Sequence, residues 1–164
     1  MAIDSPARLN ALRRAKLMDT PPEDAFDRIT RMAMKVLHVP VTLFTVVDDA
    51  RQFFKSAQGL PSDLAVSRQT PISHSMCQHV VDTNEPIIIE DARGHPTLRH
   101  NMAVLELGVT AYLGMPVLSP DGEAIGSLCA IDRNPRQWTD RDIEAMKVFA
   151  EMATQEVAAR MEKK

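Results

Sequence analysis

No run of about 20 consecutive apolar residues occurs in this 164-residue sequence, so no helix is expected to cross a membrane. Cysteine is nearly absent. Cys77 and Cys129 cannot build a disulfide framework, and free thiols fit a reducing compartment. The opening stretch MAIDSPARLNALRRAKLMDT has no apolar core of the kind a secretory signal needs, which points to the cytoplasm. Aromatic residues make up 4%, with one Trp and one Tyr. The net charge is −3, acids and bases are interspersed, and no basic block suggests a nucleic-acid partner. What the chain does have is apolar content of 45%, including ten methionines, enough for one adaptable aliphatic core.

Local signals give an element order. Ser5-Pro6 reads as an N-cap followed by proline at the first helical position, with Leu9 and Leu12 making a short apolar stripe. TPPE reads as a second start, Thr20 capping and Glu23 three residues on. Phe26, Ile29, Ala33, Val36 and Leu37 follow at helical spacing, and Pro40 ends that helix. VTLFTVVDD is apolar on both faces and predicts a central, covered strand. RQFFKSAQGL reads as its hairpin partner, with Phe53 and Phe54 on opposite faces. Residues 61–71 read as a loop, 72–82 as a short helix, and PIIIED as a strand. Residues 92–108 read as irregular with a short helix ending at Gly108. TAYLGMPVL and EAIGSLCAID are strands joined by the turn SPDG. Thr139 with Asp142 caps a last helix whose stripe is Ile143, Met146, Ala150, Ala153 and Val157. The order predicts a single α+β domain: N-terminal helices over 5–38, a sheet core over 41–132 and a C-terminal helix over 139–162.

SHSMCQHV holds Cys77 between two histidines. At about 100° per residue, His74 and Cys77 share a helix face while His79 falls on the opposite side. Three ligands cannot converge from that helix, the remaining histidines His38, His95 and His100 lie in linkers or at helix ends, and no metal is expected. A reactive thiolate needs nearby positive charge or similar tuning, and His74 one turn before Cys77 supplies little. Both cysteines therefore read first as small buried apolar residues. Asp132 and Arg136 read as an ion pair that fixes a loop rather than as an anion site, and Asp91 as a turn cap.

Several segments taken in order, PPEDAFDRITRMAMKVL, VTLFTVVDDARQFFKSAQGL, ISHSMCQHVV, PIIIEDARGHP and AYLGMPVLSPDGEAIGSLCAIDRNPRQWT, resemble the GAF domain family and a bacterial signalling subgroup of it. The resemblance runs from about Leu9 to Val157. It implies an antiparallel sheet of about six strands, terminal helices on one face, and a short helix and loops over a pocket on the other. It also implies a cytoplasmic regulatory domain, not an enzyme, that binds a small molecule or a partner. Such a domain signals through a helical homodimer to an output domain such as a histidine kinase or a cyclic-di-nucleotide enzyme. The pocket is then expected to involve Phe44 or Phe54, His74, Cys77 and Tyr112, with Asp91 as a further candidate. Family members that attach linear tetrapyrroles carry Cys followed directly by His, whereas Gln78 intervenes here, so no pigment and no other resident cofactor is expected. The Asn-Lys, Phe and Asp-Glu set of cyclic-nucleotide binders is not found. Two alternatives stay open: a thiol-based reductase of the same fold, and an interaction module whose pocket is filled by its own side chains. For the dimer, Val148, Phe149, Met152 and Met161 on the last helix and Leu17 and Met18 near the first are the expected apolar surface, with Ala145, Ala153 and Ala159 allowing close approach.

Overall fold

Every residue of VTLFTVV, strand β1 (Val41–Val47), is buried, which requires a packed layer on each face of the sheet. The computed structural model, which describes residues 2–162, has both layers. The other strands are β2 (Arg51–Gln58), β3 (Gln69–Pro71), β4 (Ile87–Ile89), β5 (Ala111–Leu118) and β6 (Ala124–Asp132). They form one six-stranded sheet in the order β3-β2-β1-β6-β5-β4, antiparallel at every pairing. The helices are α1 (Pro6–Ala15), α2 (Asp24–Leu37), α3 (Ser62–Ser67), α4 (Cys77–Thr83), α5 (Met102–Leu107) and α6 (Asp140–Glu162).

Alternation along β1 sorts the two cores. Phe44 and Val46 face α1, α2 and α6, and Phe44 meets Phe26 of α2 with ring centroids 5.0 Å apart. Val41, Leu43 and Val47 face the other way, toward α4 and α5. The hairpin to β2 closes on Asp48, whose Oδ1 accepts from the N–H groups of Ala50 (2.8 Å) and Arg51 (2.7 Å), the local side-chain bonding that makes Asp a turn residue. A bulge between Phe44 and Thr45 shifts the register, so Thr45 pairs with Phe54. Phe53 and Phe54 fall on opposite faces, as adjacent strand residues must.

The last helix starts as its sequence predicts: Asp142 N–H donates to Thr139 Oγ1 at 3.1 Å, and Thr139 N–H to Asp142 Oδ2 at 3.2 Å, a reciprocal capping box. Arg136 fixes the loop before it, lying over the Trp138 ring, donating to His38 O at 3.0 Å and pairing loosely with Asp132 and Asp142.

Four local readings need correction. Thr20 does not cap α2. Its hydroxyl donates to Leu17 O at 2.6 Å and accepts from Lys55 Nζ at 2.6 Å, and the helix begins at Asp24 because Pro21 and Pro22 hold the chain extended before it. Val36 is 50% exposed, and Thr30 takes its place on the buried face of α2. Leu17 is wholly buried rather than part of an exposed surface. Residues 61–71 are not a plain loop but contain α3 and the edge strand β3. Neither carries a periodic apolar stripe, since no residue of α3 is buried and β3 has three residues.

One polar knot ties the ends of the helical layer together. Lys55 of β2 is fully buried, and its ammonium donates to Glu23 Oε2 at 2.5 Å and to Pro21 O at 2.6 Å. Glu23 also accepts from Arg160 Nε at 2.9 Å, and Arg160 Nη1 donates to Ala15 O at 2.6 Å. Burial drives the Lys55 pKa below its ordinary value against the opposing pull of Glu23. Burial also acts to raise the Glu23 pKa, but the bonds from Lys55 and Arg160 overcome it and leave the carboxyl below its ordinary value.

Candidate functional site

On the face away from α1, α2 and α6, the sheet and its cover enclose a cavity of about 260 Å³. Its floor is built from strand positions that point to that layer: Leu43, Phe54, Tyr112 and Ile131. Met76 and Cys77 form one wall, Ala103, Glu106 and Leu107 of α5 another, and Leu60, Pro61 and Leu64 lie across the mouth. The lining is mostly apolar with a few polar groups, the composition of small-molecule sites.

The segment carrying His74 and Cys77 is not one continuous helix. Ile72–His74 is a single 3-10 turn, Ser75 is extended (φ −113°, ψ 116°), and α4 begins at Cys77. The break is held by Ser75, whose hydroxyl accepts from Gln78 N–H at 3.1 Å and donates to Gln52 Oε1 at 2.7 Å. His74 and Cys77 therefore do not share a helix face, yet both line the cavity because the break turns His74 toward it. His74 Nε2 lies 2.9 Å from Glu106 Oε2, and its Nδ1 lies 2.9 Å from Ser73 Oγ. Arg133, exposed at the same rim, adds a positive charge.

Beneath this mouth lies a buried sulfur–hydroxyl cluster. Cys77 Sγ and Cys129 Sγ are 3.8 Å apart, and the Tyr112 hydroxyl donates to Cys77 Sγ at 3.1 Å and lies 3.3 Å from Ser127 Oγ. Gly114 makes room for this ring: a Cβ there would stand 2.6 Å from the tyrosine Oη. Neighbouring polar groups, Cys129 first, then Tyr112, Thr45 and Ser127, draw the Cys77 thiol down to about 7 although burial opposes them. Burial, then the bond to Cys77, pushes the Cys129 thiol well above its ordinary value. The Tyr112 phenol is likewise raised, by burial first and by the neighbouring sulfurs after it. The sequence reading of these cysteines as ordinary buried residues holds for their burial and misses their mutual contact.

Of the six residues proposed from the sequence, Phe54, His74, Cys77 and Tyr112 come together around the cavity. Phe44 does not. It points at the terminal helices, because it occupies the opposite pleat from Leu43. Asp91 does not either. It caps the 3-10 turn Ala92–Gly94 and pairs with Arg93 at 2.9 Å, which holds its carboxyl below the ordinary value. Residues the sequence reading missed include Gln52, whose amide donates to Thr70 Oγ1 at 2.9 Å and His74 O at 3.2 Å, and Glu106 and Arg133 at the rim. Leu43 could have been found by extending the alternation from a fixed face; Glu106 and Arg133 carry no local signal. Among the described residues, no group of three or more His, Cys, Asp or Glu side chains is placed to hold a metal ion. Nor is any helix among them long and apolar enough to cross a membrane.

A GAF domain family model matches residues 21–157. A cyclic di-GMP phosphodiesterase of Pseudomonas aeruginosa is 31% identical over 138 residues, covering 83% of this chain and 23% of that protein. A diguanylate cyclase of Escherichia coli is 28% identical over 146 residues, covering 81% of this chain and 40% of that protein. The chain thus spans well under half the length of these curated relatives. Among solved structures, the GAF domain of an Acinetobacter phosphoenolpyruvate-protein phosphotransferase superposes with a TM-score of 0.67 at 16% identity, over 93% of this chain and 94% of that one. At that identity the likeness concerns the fold.

Proposed function

Since this chain belongs to the GAF domain family, we propose that it is a cytoplasmic, non-enzymatic sensory module that binds a small molecule above its sheet and signals as a homodimer. The observation that carries this reading is the cavity itself. Its volume of about 260 Å³ lies just below the ~300 Å³ at which pockets for drug-sized ligands begin, so it suits a metabolite. The apolar floor of Leu43, Phe54, Tyr112 and Ile131 would take the ligand's body. The rim of His74, Glu106 and Arg133 would take an ionisable or hydrogen-bonding end. An output on cyclic dinucleotides is favoured over a histidine kinase by the names of the two curated relatives.

Native mass spectrometry of protein isolated from its own host is the test. The expected spectrum contains a species heavier than the chain by one small molecule, and Ala103→Phe, which fills the cavity from α5, removes it. A bare chain, together with no thermal stabilisation by a panel of small acids and amines, would favour an interaction module with no ligand, since any bound ligand must raise stability.

The homodimer rests on the outer face of the helical layer. α6 buries Met146, Ala150, Ala153 and Val157 against the sheet, while Val148 remains 54% exposed, and on neighbouring α2 Met32 and Val36 are 38% and 50% exposed. Apolar groups grouped on adjacent helices favour a partner, and a second copy packing α2 and α6 against their equivalents makes a four-helix bundle. Light scattering at micromolar concentration is expected to give twice the 18.2 kDa chain mass, with Val148→Glu moving the population to monomer. A monomer mass unchanged on concentration refutes the dimer.

A further inference from the structure

We propose that Cys77 and Cys129 are a peroxide-responsive dithiol, oxidised through the cavity to an intramolecular disulfide. The proposal needs the cavity as an entrance but no ligand in it, so it stands apart from the sensory reading above.

Three features of the site support it. The sulfurs face each other at 3.8 Å, and a disulfide requires about 2.05 Å, so α4 and β6 need only close the remaining gap. The two thiols are also unequally placed. Cys77 lines the cavity, whereas Cys129 lies behind it on β6. An oxidant as small as hydrogen peroxide, entering past Leu64 and His74, meets Cys77 first. Finally, the groups around Cys77 are donors suited to a sulfur anion. The Tyr112 hydroxyl already donates to it. Thr45, paired across the sheet with Ser127 of the same cluster, has its Oγ1 buried and without a hydrogen-bond partner among the described residues. A buried hydroxyl left unpaired is costly, and a charged sulfur beside it would supply the missing acceptor. Hydrogen-bond donation to the sulfur favours its charged form, and the thiolate is the nucleophile.

The chemistry balances with a hydroperoxide as the oxidant. The Cys77 thiolate attacks one peroxide oxygen, the O–O bond breaks, and the displaced oxygen leaves as water or an alcohol after taking up a proton. Cys77 is then a sulfenic acid. The Cys129 sulfur attacks the Cys77 sulfur, the S–O bond breaks, and hydroxide departs with the Cys129 proton as water. Two electrons pass from the thiol pair to the peroxide. The product draws α4 onto β6 and takes from Tyr112 its sulfur acceptor, so the floor of the cavity changes shape with redox state.

The experiment treats the folded, reduced protein with hydrogen peroxide and reads the intact mass and the peptides. The expected result is the loss of two hydrogens, with Cys77 and Cys129 linked within one chain and the reduced mass restored by a thiol reductant. Cys129→Ala should halt the reaction at a Cys77 sulfenic acid trapped by a cyclic 1,3-dione, and Cys77→Ala should leave Cys129 unmodified. Tyr112→Phe should slow the oxidation about fivefold at pH 7, the drop in thiolate fraction when a thiol pKa near 7 rises by one unit. If the folded wild-type protein keeps both thiols at a peroxide dose that oxidises the denatured chain, the proposal is overturned. A link between two chains, or over-oxidation of Cys77 without a disulfide, overturns it equally. The wild-type result decides the matter even if a variant does not fold. A retained ligand with inert thiols would remove this proposal and leave the sensory reading standing.

Discussion

Gly59→Ala is expected to abolish folding at room temperature or to cost at least about 4 kcal/mol. Gly59 follows β2, where the chain turns toward Leu60 at the mouth of the cavity, with φ +83°. That left-handed conformation alone costs an L-residue about 1–2 kcal/mol. The larger effect is steric: a Cβ would stand 1.9 Å from Pro40 O and 3.2 Å from Met34 Cε. The first obstacle is backbone, at the junction of α2 and β1, and cannot swing aside as a side chain can. Relief requires either the hairpin or the end of α2 to move, and both are packed into the sheet. Gly122→Ala is the matched control. Gly122 has φ +86° in the turn between β5 and β6, but nothing lies within 4 Å of its would-be Cβ, so only the conformational cost of about 1–2 kcal/mol remains. Urea unfolding of both variants checks the contrast, and equal costs would show that the contact with Pro40 is easily relieved.

Glu23→Gln is expected to destabilise the fold by about 2–3 kcal/mol, or very roughly 4–12 °C in melting temperature. The cause is the partner it leaves behind: the Lys55 ammonium, fully buried, would keep Thr20 Oγ1 and Pro21 O but lose its counter-charge. Removing one end of a buried pair typically costs 3–5 kcal/mol. The Glu23 side chain, 36% exposed, is screened by solvent, which places the effect toward or below the lower end of that range. Adding Lys55→Met removes the stranded charge, so the double variant should recover much of the loss. The pH dependence has a defined sign. The Glu23 carboxyl lies below its ordinary value of 4.5 in the folded protein, so its contribution is present above about pH 4.5 and disappears as pH falls through the folded value. Glu23→Gln should therefore flatten the acid limb of the stability curve. A variant within 0.5 kcal/mol of the wild type at pH 7, by calorimetry or urea titration, would contradict this account.

The parts of this fold legible in the sequence are those with a strong local signal. β1 was readable because an apolar run without alternation describes a strand covered twice, and the α6 start because Thr139 and Asp142 can each satisfy the other's backbone. The same property that revealed β1 hid its facing. With both pleats apolar, no rule of alternation says which holds the cavity, so the sequence does not separate Phe44 from Phe54, which lie in opposite layers. α3 was illegible because Val66 is 84% exposed and nothing in it points to a core. Lys55 reads as a surface residue in FFKS, and Arg8, also buried, reads as one in SPAR. Their burial depends on acceptors supplied from distant segments, Glu23 and Pro21 for one and Ala124 O and Ile3 O for the other. The approach of Cys77 to Cys129 belongs to the same class. It spans 52 residues of chain and follows from the packing of α4 on β6.

The clasp of Arg160 by Glu23 and Ala15 O has a mechanical meaning. α6 is fastened just before its start by Trp138 Nε1–H donating to Ile89 O at 2.9 Å, midway by Leu118 N–H donating to Thr154 Oγ1 at 3.2 Å, and near its far end by Arg160. The last two fixings lie about 9 Å apart along the axis. A rod held at points off its axis can neither spin nor slide unless a fixing breaks, so α6 moves with the sheet as one stiff beam. A shift of the sheet against the opposing layer then reaches the end of the beam as tilt, and the displacement there grows with distance from the pivot.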